Sequence, residues 1–162
     1  MVFSTGGTLG VDFTATEATT ANKAFAIGQQ ECGSDGADYV YTRAAAAVVA
    51  SDVVSILVDG TVTPLTTVNA SVGSAIGFAQ TAIANGSFGW VALRGPNLQV
   101  NVLANCAPEV MLFTTATAGS LDDATVTLGL VVGVMTQAAA TSNATAHTAI
   151  CAYPHISRHL MA

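Results

Sequence analysis

Three side chains near the C-terminus, Cys151, His155 and His159, recur at every fourth position. On a helix that spacing puts all three on one face, and thiolate and imidazole are ligands that zinc favours. Pro154 lies inside the same stretch and would interrupt a helix. No fourth ligand is evident, so the competing expectation is a C-terminal strand and tail that hold no metal. A nucleophilic triad would have to draw its base from His147, His155 or His159. Its serine candidate, Ser74, sits in Val-Gly-Ser-Ala-Ile-Gly, which departs from the Gly-x-Ser-x-Gly elbow. Carboxylates fall close together twice, as Asp35 with Asp38 and as Asp122 with Asp123. Calcium takes about six to eight oxygen ligands, and aspartates beside glycine more commonly close turns by accepting nearby backbone amides. Gly28-Gln29-Gln30-Glu31-Cys32-Gly33 lacks the lysine of a phosphate-cradling loop. The chain is therefore expected to have no catalytic centre, no cofactor and no resident metal: it does not read as an enzyme.

The elements that would position such groups are bounded by length and composition. A chain of 162 residues is expected to form one domain with one core. Charged residues make up 9%, against about 25% in an ordinary soluble domain. Hydrophobic residues are 51% and mean hydropathy is +0.56, which argues against disorder. With a net charge of −6 and only Lys23, Arg43, Arg94 and Arg158 as scattered cations, nucleic acid is not an expected partner. A membrane is not expected either: the longest near-continuous apolar run is Leu128 to Met135, whereas a helical span needs about 20 residues. The N-terminus, MVFSTGGTLGVDF, has neither the basic nor the apolar region of a signal peptide, so synthesis in the cytosol is expected. Cys32, Cys106 and Cys151 are too few and too far apart for a disulfide framework and read as small apolar residues.

Residues 1–20 have no sustained hydrophobic period and read as an extended N-terminal arm, leaving residues 21–162 as a single β-rich domain. Asp38 to Arg43 and Leu98 to Leu103 alternate with the period of half-buried strands. Val53 to Val58, Leu65 to Val68, Ile76 to Ile83, Phe88 to Leu93, Val110 to Thr115, Leu128 to Met135 and Thr145 to Tyr153 are further strand candidates. Gly33-Ser34-Asp35-Gly36, Asn85-Gly86 and Gly95-Pro96-Asn97 are expected to turn the chain between them. No segment carries a helical stripe of ten residues, and Ala44 to Ala47 is too short to be one. The expected class is all-β, a compact β-barrel or β-sandwich, with Gly77, Gly89, Gly129 and Gly133 marking bulges or bends.

So few charges cannot cover a monomer's surface. Charged residues are depleted where protein packs on protein, so a subunit of a larger assembly is expected. Several stretches then resemble the small capsid decoration, or cement, proteins of tailed bacteriophages. They are Ala24 to Gly28, Gly33 to Tyr41, the Ala44 to Ala47 run, Gly77 to Gln80, Phe88 to Gly95, Asn101 to Pro108, Leu112 to Thr115 and Ala118 to Asp123. The resemblance spans roughly Ala24 to Tyr153 as a series of strand and turn signatures; the C-terminal tail, longer and containing histidine, departs from it. It implies a β-tulip-like body, often a homotrimer, on the outer surface of the expanded head in the virion. There the protein would clamp neighbouring copies of the major capsid protein, its partners being that protein and itself. A terminal arm could add a strand to the capsid protein, with Val2, Phe3 and Phe13 as its contacts. The alternative is a phage tail or cell-surface β-module that recognises a receptor or glycan.

Overall fold

Residues 88–102 behave differently from the sequence expectation, and the architecture follows from that difference. The computed structural model describes residues 11–18, 23–126, 129–141 and 145–158. Its elements are β1 (Gln30–Cys32), β2 (Asp38–Ala44), β3 (Val53–Ile56), β4 (Thr61–Pro64) and β5 (Ala75–Phe78), then β6 (Phe88–Val102), β7 (Leu112–Thr114), β8 (Leu121–Asp122), β9 (Leu130–Thr136) and β10 (Thr145–Ser157). Among the described residues there is no helix, and the all-β expectation holds. The sequence divides 88–102 at Gly95-Pro96-Asn97, yet the strand runs through that point. The reason is a change of partner: residues up to Arg94 pair with β2, and residues from Arg94 onward pair with β10. Pro96 falls in the gap between the Gly95 and Leu98 pairings, where no ladder donor is needed.

Pairing closes two rings that share β6. The first runs β2, β6, β5, β3, β4 and back to β2. The second runs β6, β10, β9, β7, β8 and back to β6. β1 adds to β2, and β5 touches β10 at Ala75 and His155. Closure removes most of the free sheet edges that a ten-strand open sheet would expose.

Alternation along the strands fills each ring. Val40, Val54, Val62, Val91 and Leu93 cluster inside the first with Val48 and Ile83. Gly77 of β5 faces the same space: a Cβ there would stand 2.3 Å from Val91 Cγ1 and 3.2 Å from Ile56 Cδ1, so glycine here is a packing requirement rather than a bulge. The opposite faces of β2 and β6 carry Tyr39, Tyr41, Phe88 and Trp90. Further along β6 the same parity continues as Leu98, Val100 and Val102, which pack in the second ring with Leu112, Leu121, Val131, Ala149 and Ile156.

The aromatic face outside the first ring is covered by residues 11–18 and 25–27. Phe13, 2% exposed, stacks on Tyr39 with ring centroids 4.4 Å apart and meets Trp90 edge-on at 5.0 Å. Glu17 forms a β-bridge with Phe88, and its Oε2 accepts the Tyr41 hydroxyl at 2.8 Å and the Ala24 amide at 2.9 Å. Phe13 is thus a core residue and not a free capsid anchor: six rings compete for one surface, and docking there removes Phe13 from water. Val2 and Phe3 lie outside the described residues.

Two substitutions test this packing. Phe13→Ala is expected to cost about 3–5 kcal/mol in urea denaturation, whereas a loss below about 1 kcal/mol would return the residue to a surface role. Gly77→Val should destabilise by about 1–3 kcal/mol through overpacking against Val91, read by the same titration.

Candidate interaction surface

The window from Ala124 to Ser157 contains no Asp, Glu, Lys or Arg, and most of it forms β9 and β10. These strands pair antiparallel, Met135 opposite Ile150 and Val132 opposite His155. Residues that face inward, Val131, Val134, Cys151 and Ile156, belong to the second ring's core. Their neighbours face outward and stay partly open to solvent: Val132 is 40% exposed, Met135 48%, Ile150 47% and Tyr153 52%, and Met111 before β7 is 58% exposed. Three grooves follow one another along this face. The first, of about 340 Å³, is lined by Glu109, Met111 and the length of β9. It continues between Met135 and Ile150, then between Ile150 and Ala152 on one side and Arg94 to Pro96 on the other.

A double irregularity shapes the middle of the face. The register shifts between Cys151 and His155, so Ala152, Tyr153 and Pro154 stand opposite Gly133 alone. Gly133 adopts φ 89°, and a Cβ there would lie 2.7 Å from the Ala152 carbonyl oxygen. Tyr153 takes the left-handed region at φ 46°. The bulge swings its ring out of the ladder, and its hydroxyl donates to Asp38 Oδ2.

Asp38 is the polar node at that end. It is buried, and it accepts Arg94 Nε at 2.8 Å, the Cys32 thiol at 3.1 Å and the Tyr153 hydroxyl, joining β1, β2, β6 and β10. Burial alone would push its carboxyl up, but the bonds from Tyr153, Cys32 and Arg94 together hold it below the ordinary aspartate value. In return, the hydrogen bond to Asp38 raises both the Cys32 thiol and the Tyr153 phenol. Asp35 closes its turn as expected, Oδ1 accepting the Ala37 amide at 3.1 Å and Oδ2 the Tyr39 hydroxyl at 2.6 Å.

The C-terminal metal spacing does not assemble. Residues 145–157 form a strand, in which residues four apart stand about 13 Å from each other, and the bulge between Cys151 and His155 turns the two to opposite faces. Cys151 points into the core, where burial pushes its thiol up to about 12, and His155 is exposed on the opposite face. His159 lies outside the described residues. A different group converges instead: donor atoms of Cys106, Asp122 and Asp123 lie within 4.8 Å of one another. Burial, then Asp123 and Asp122, push the Cys106 thiol up to about 11, and Asp123 Oδ2 already accepts the Ala107 amide at 3.0 Å. Burial thus favours the thiol over the thiolate, and Asp123, directly after β8, ties the 103–108 turn to it. Sequence reasoning paired the aspartates with each other but missed Cys106, 16 residues before Asp122, because only the β6–β8 pairing brings it near. It also missed the β9–β10 face, whose one sequence signal is the missing charge.

No protein-family model matches the chain, no curated protein matches its sequence, and no solved structure matches it.

Asp38 generates a pH prediction. A carboxyl held below its unfolded value stabilises the fold above that value, and the contribution is lost as pH falls through the folded one. Asp38→Asn should therefore be clearly less stable than wild type at pH 7. The gap should shrink below about pH 4, where unfolded aspartate begins to bind protons. Urea midpoints at the two pH values check this, and a gap that stays constant would mean that the carboxylate charge is not what joins the strands.

Proposed function

We propose that this chain is a structural virion protein, a capsid decoration protein of a tailed bacteriophage, which binds the outer surface of the expanded head as an oligomer and holds neighbouring major capsid subunits together. The observation that carries the reading is the uncharged β9–β10 face: apolar side chains roughly half exposed on a body whose rings are otherwise filled. Contiguous apolar surface of this kind on a soluble domain marks a place where protein packs on protein. The resemblance noted for Ala24 to Tyr153 supplies the kind of assembly.

The arrangement of aromatic side chains favours this reading over receptor or glycan recognition. Trp90, Tyr39 and Tyr41 are consumed by the core, and Tyr153 is the aromatic residue left largely exposed among the described residues. A sugar-binding surface would need such rings at the surface to stack on. A cement role needs only a rigid body and repeated contacts, each of which can be weak because several are made at once.

Purified protein mixed with expanded capsids that lack their decoration layer should co-sediment and saturate at a fixed ratio to the capsid subunit. Unexpanded shells should leave it in the supernatant. Absence of binding to expanded shells at any concentration would overturn the reading for that capsid.

A further inference from the structure

We infer that the β9–β10 face packs against the same face of a second copy of this chain, the two related by a two-fold axis that passes near Met135 and Ile150. The inference rests on the assembly reading above and names the partner of that surface.

Charge decides the partner. Two copies that each carry a net charge of −6 repel wherever acidic surfaces meet. The β9–β10 face avoids this, because 34 consecutive residues from Ala124 to Ser157 bring no carboxylate to it. The ends of the groove are of opposite sign. Glu109 is exposed at one end. Arg94 lines the other with its side chain 50% exposed, while its partner Asp38 is only 12% exposed beneath it. A two-fold axis across the middle of such a strip is self-complementary. It sets Met135 of each copy on Ile150 of the other, and it brings Glu109 of each copy to Arg94 of the other, so both charge pairs form at once. A head-to-tail contact would instead need a second, differently shaped apolar surface to receive this one.

The area is of the right order. Met111, Val132, Met135, Ile150 and Tyr153 expose on the order of 500 Å² of side chain per copy, at the upper end of what an isolated monomer leaves uncovered. A stable interface buries about 800 Å² on each partner, and residues 94–96 and 109–110, which line the same grooves, add to the area that pairing would cover.

Sedimentation equilibrium of the full chain should give the mass of two subunits. Ile150→Asp should weaken pairing at least about 100-fold, with a urea midpoint equal to that of the wild type when both are measured at concentrations too dilute for pairing. Cross-linking then fixes the symmetry, in a Cys32→Ser background that removes the exposed native thiol. Met135→Cys and Ile150→Cys chains should form disulfide-linked dimers when mixed. Glu109→Cys and Pro96→Cys should each stay monomeric on a denaturing gel when alone and become linked by a short bismaleimide when mixed. A single-chain mass at tens of micromolar, a three-chain mass, or failure of the Met135→Cys and Ile150→Cys mixture to link would overturn the inference. Capsid co-sedimentation is scored separately: protein that pairs but does not bind shells refutes the decoration reading alone, and protein that binds shells as a monomer refutes the pairing alone.

Discussion

One strand has to serve two closed rings, and most of the molecule is arranged around that demand. β6 pairs with β2 through its first half and with β10 through its second. Its residues of one parity form two buried rows, Phe88, Trp90 and Ala92, then Leu98, Val100 and Val102, separated by the exposed Arg94 and Pro96. Because the sheet closes in one direction at one end and in the other direction at the other, the former row lies outside the first ring and the latter inside the second. The outside row must be covered by something other than a strand. Val11, Phe13 and Phe25 supply the cover, so the segment before β1 is structural even though its own sequence has no period.

The transition between halves is where the fold spends its irregular geometry. Gly95 packs so closely that a Cβ would come 2.9 Å from Ala37 Cβ. Arg94 pairs with both Asp38 and Ala152, and its side chain binds the Asp38 carboxylate. Tyr153 reaches the same carboxylate only because β10 bulges opposite Gly133. A buried carboxylate is costly unless hydrogen-bonded, and here three donors from three strands meet that cost. Asp38 therefore locks the crossing between rings, and the lock stands at one end of the exposed β9–β10 face.

Much of this was legible in the residues, and the remainder fails for identifiable reasons. Period-two alternation located β2 and the second half of β6, and apolar runs between turn residues located the first half of β6 and the outlines of β9 and β10. The turn expected at Gly95-Pro96-Asn97 is absent because those residues mark a change of pairing partner, which local sequence cannot separate from a change of direction. Leu65 to Val68 reads as a strand but is not one; β4 is the less apolar Thr61–Pro64, whose position follows from pairing with β2 and β3. β1 and β8, three and two residues long, exist only through their neighbours. The spacing of Cys151, His155 and His159 brings ligands together only with the short rise of a helix; on the strand that forms, residues four apart stand about 13 Å apart and the bulge turns Cys151 and His155 to opposite faces.

The scarcity of charge acquires a cause when the acidic groups are followed individually. Asp12, Glu17, Asp35, Asp52, Asp59 and Asp123 each accept a backbone amide within a turn or loop, and Asp38 joins four strands. Most carboxylates are thus engaged in closing the chain's own turns, assisted by hydroxyls such as Thr14, Thr61 and Thr115 that bond beside them or in the same way. Short strands in two small rings need many turns, and turns with few glycines need side-chain acceptors. Acidic groups are therefore distributed by turn position rather than by the need to keep surfaces apart. The long pair β9 and β10 contains no such turn acceptor within its ladder and so has no carboxylate of its own. Glu109, whose carboxylate closes no turn of its own, is left at the rim of that uncharged face.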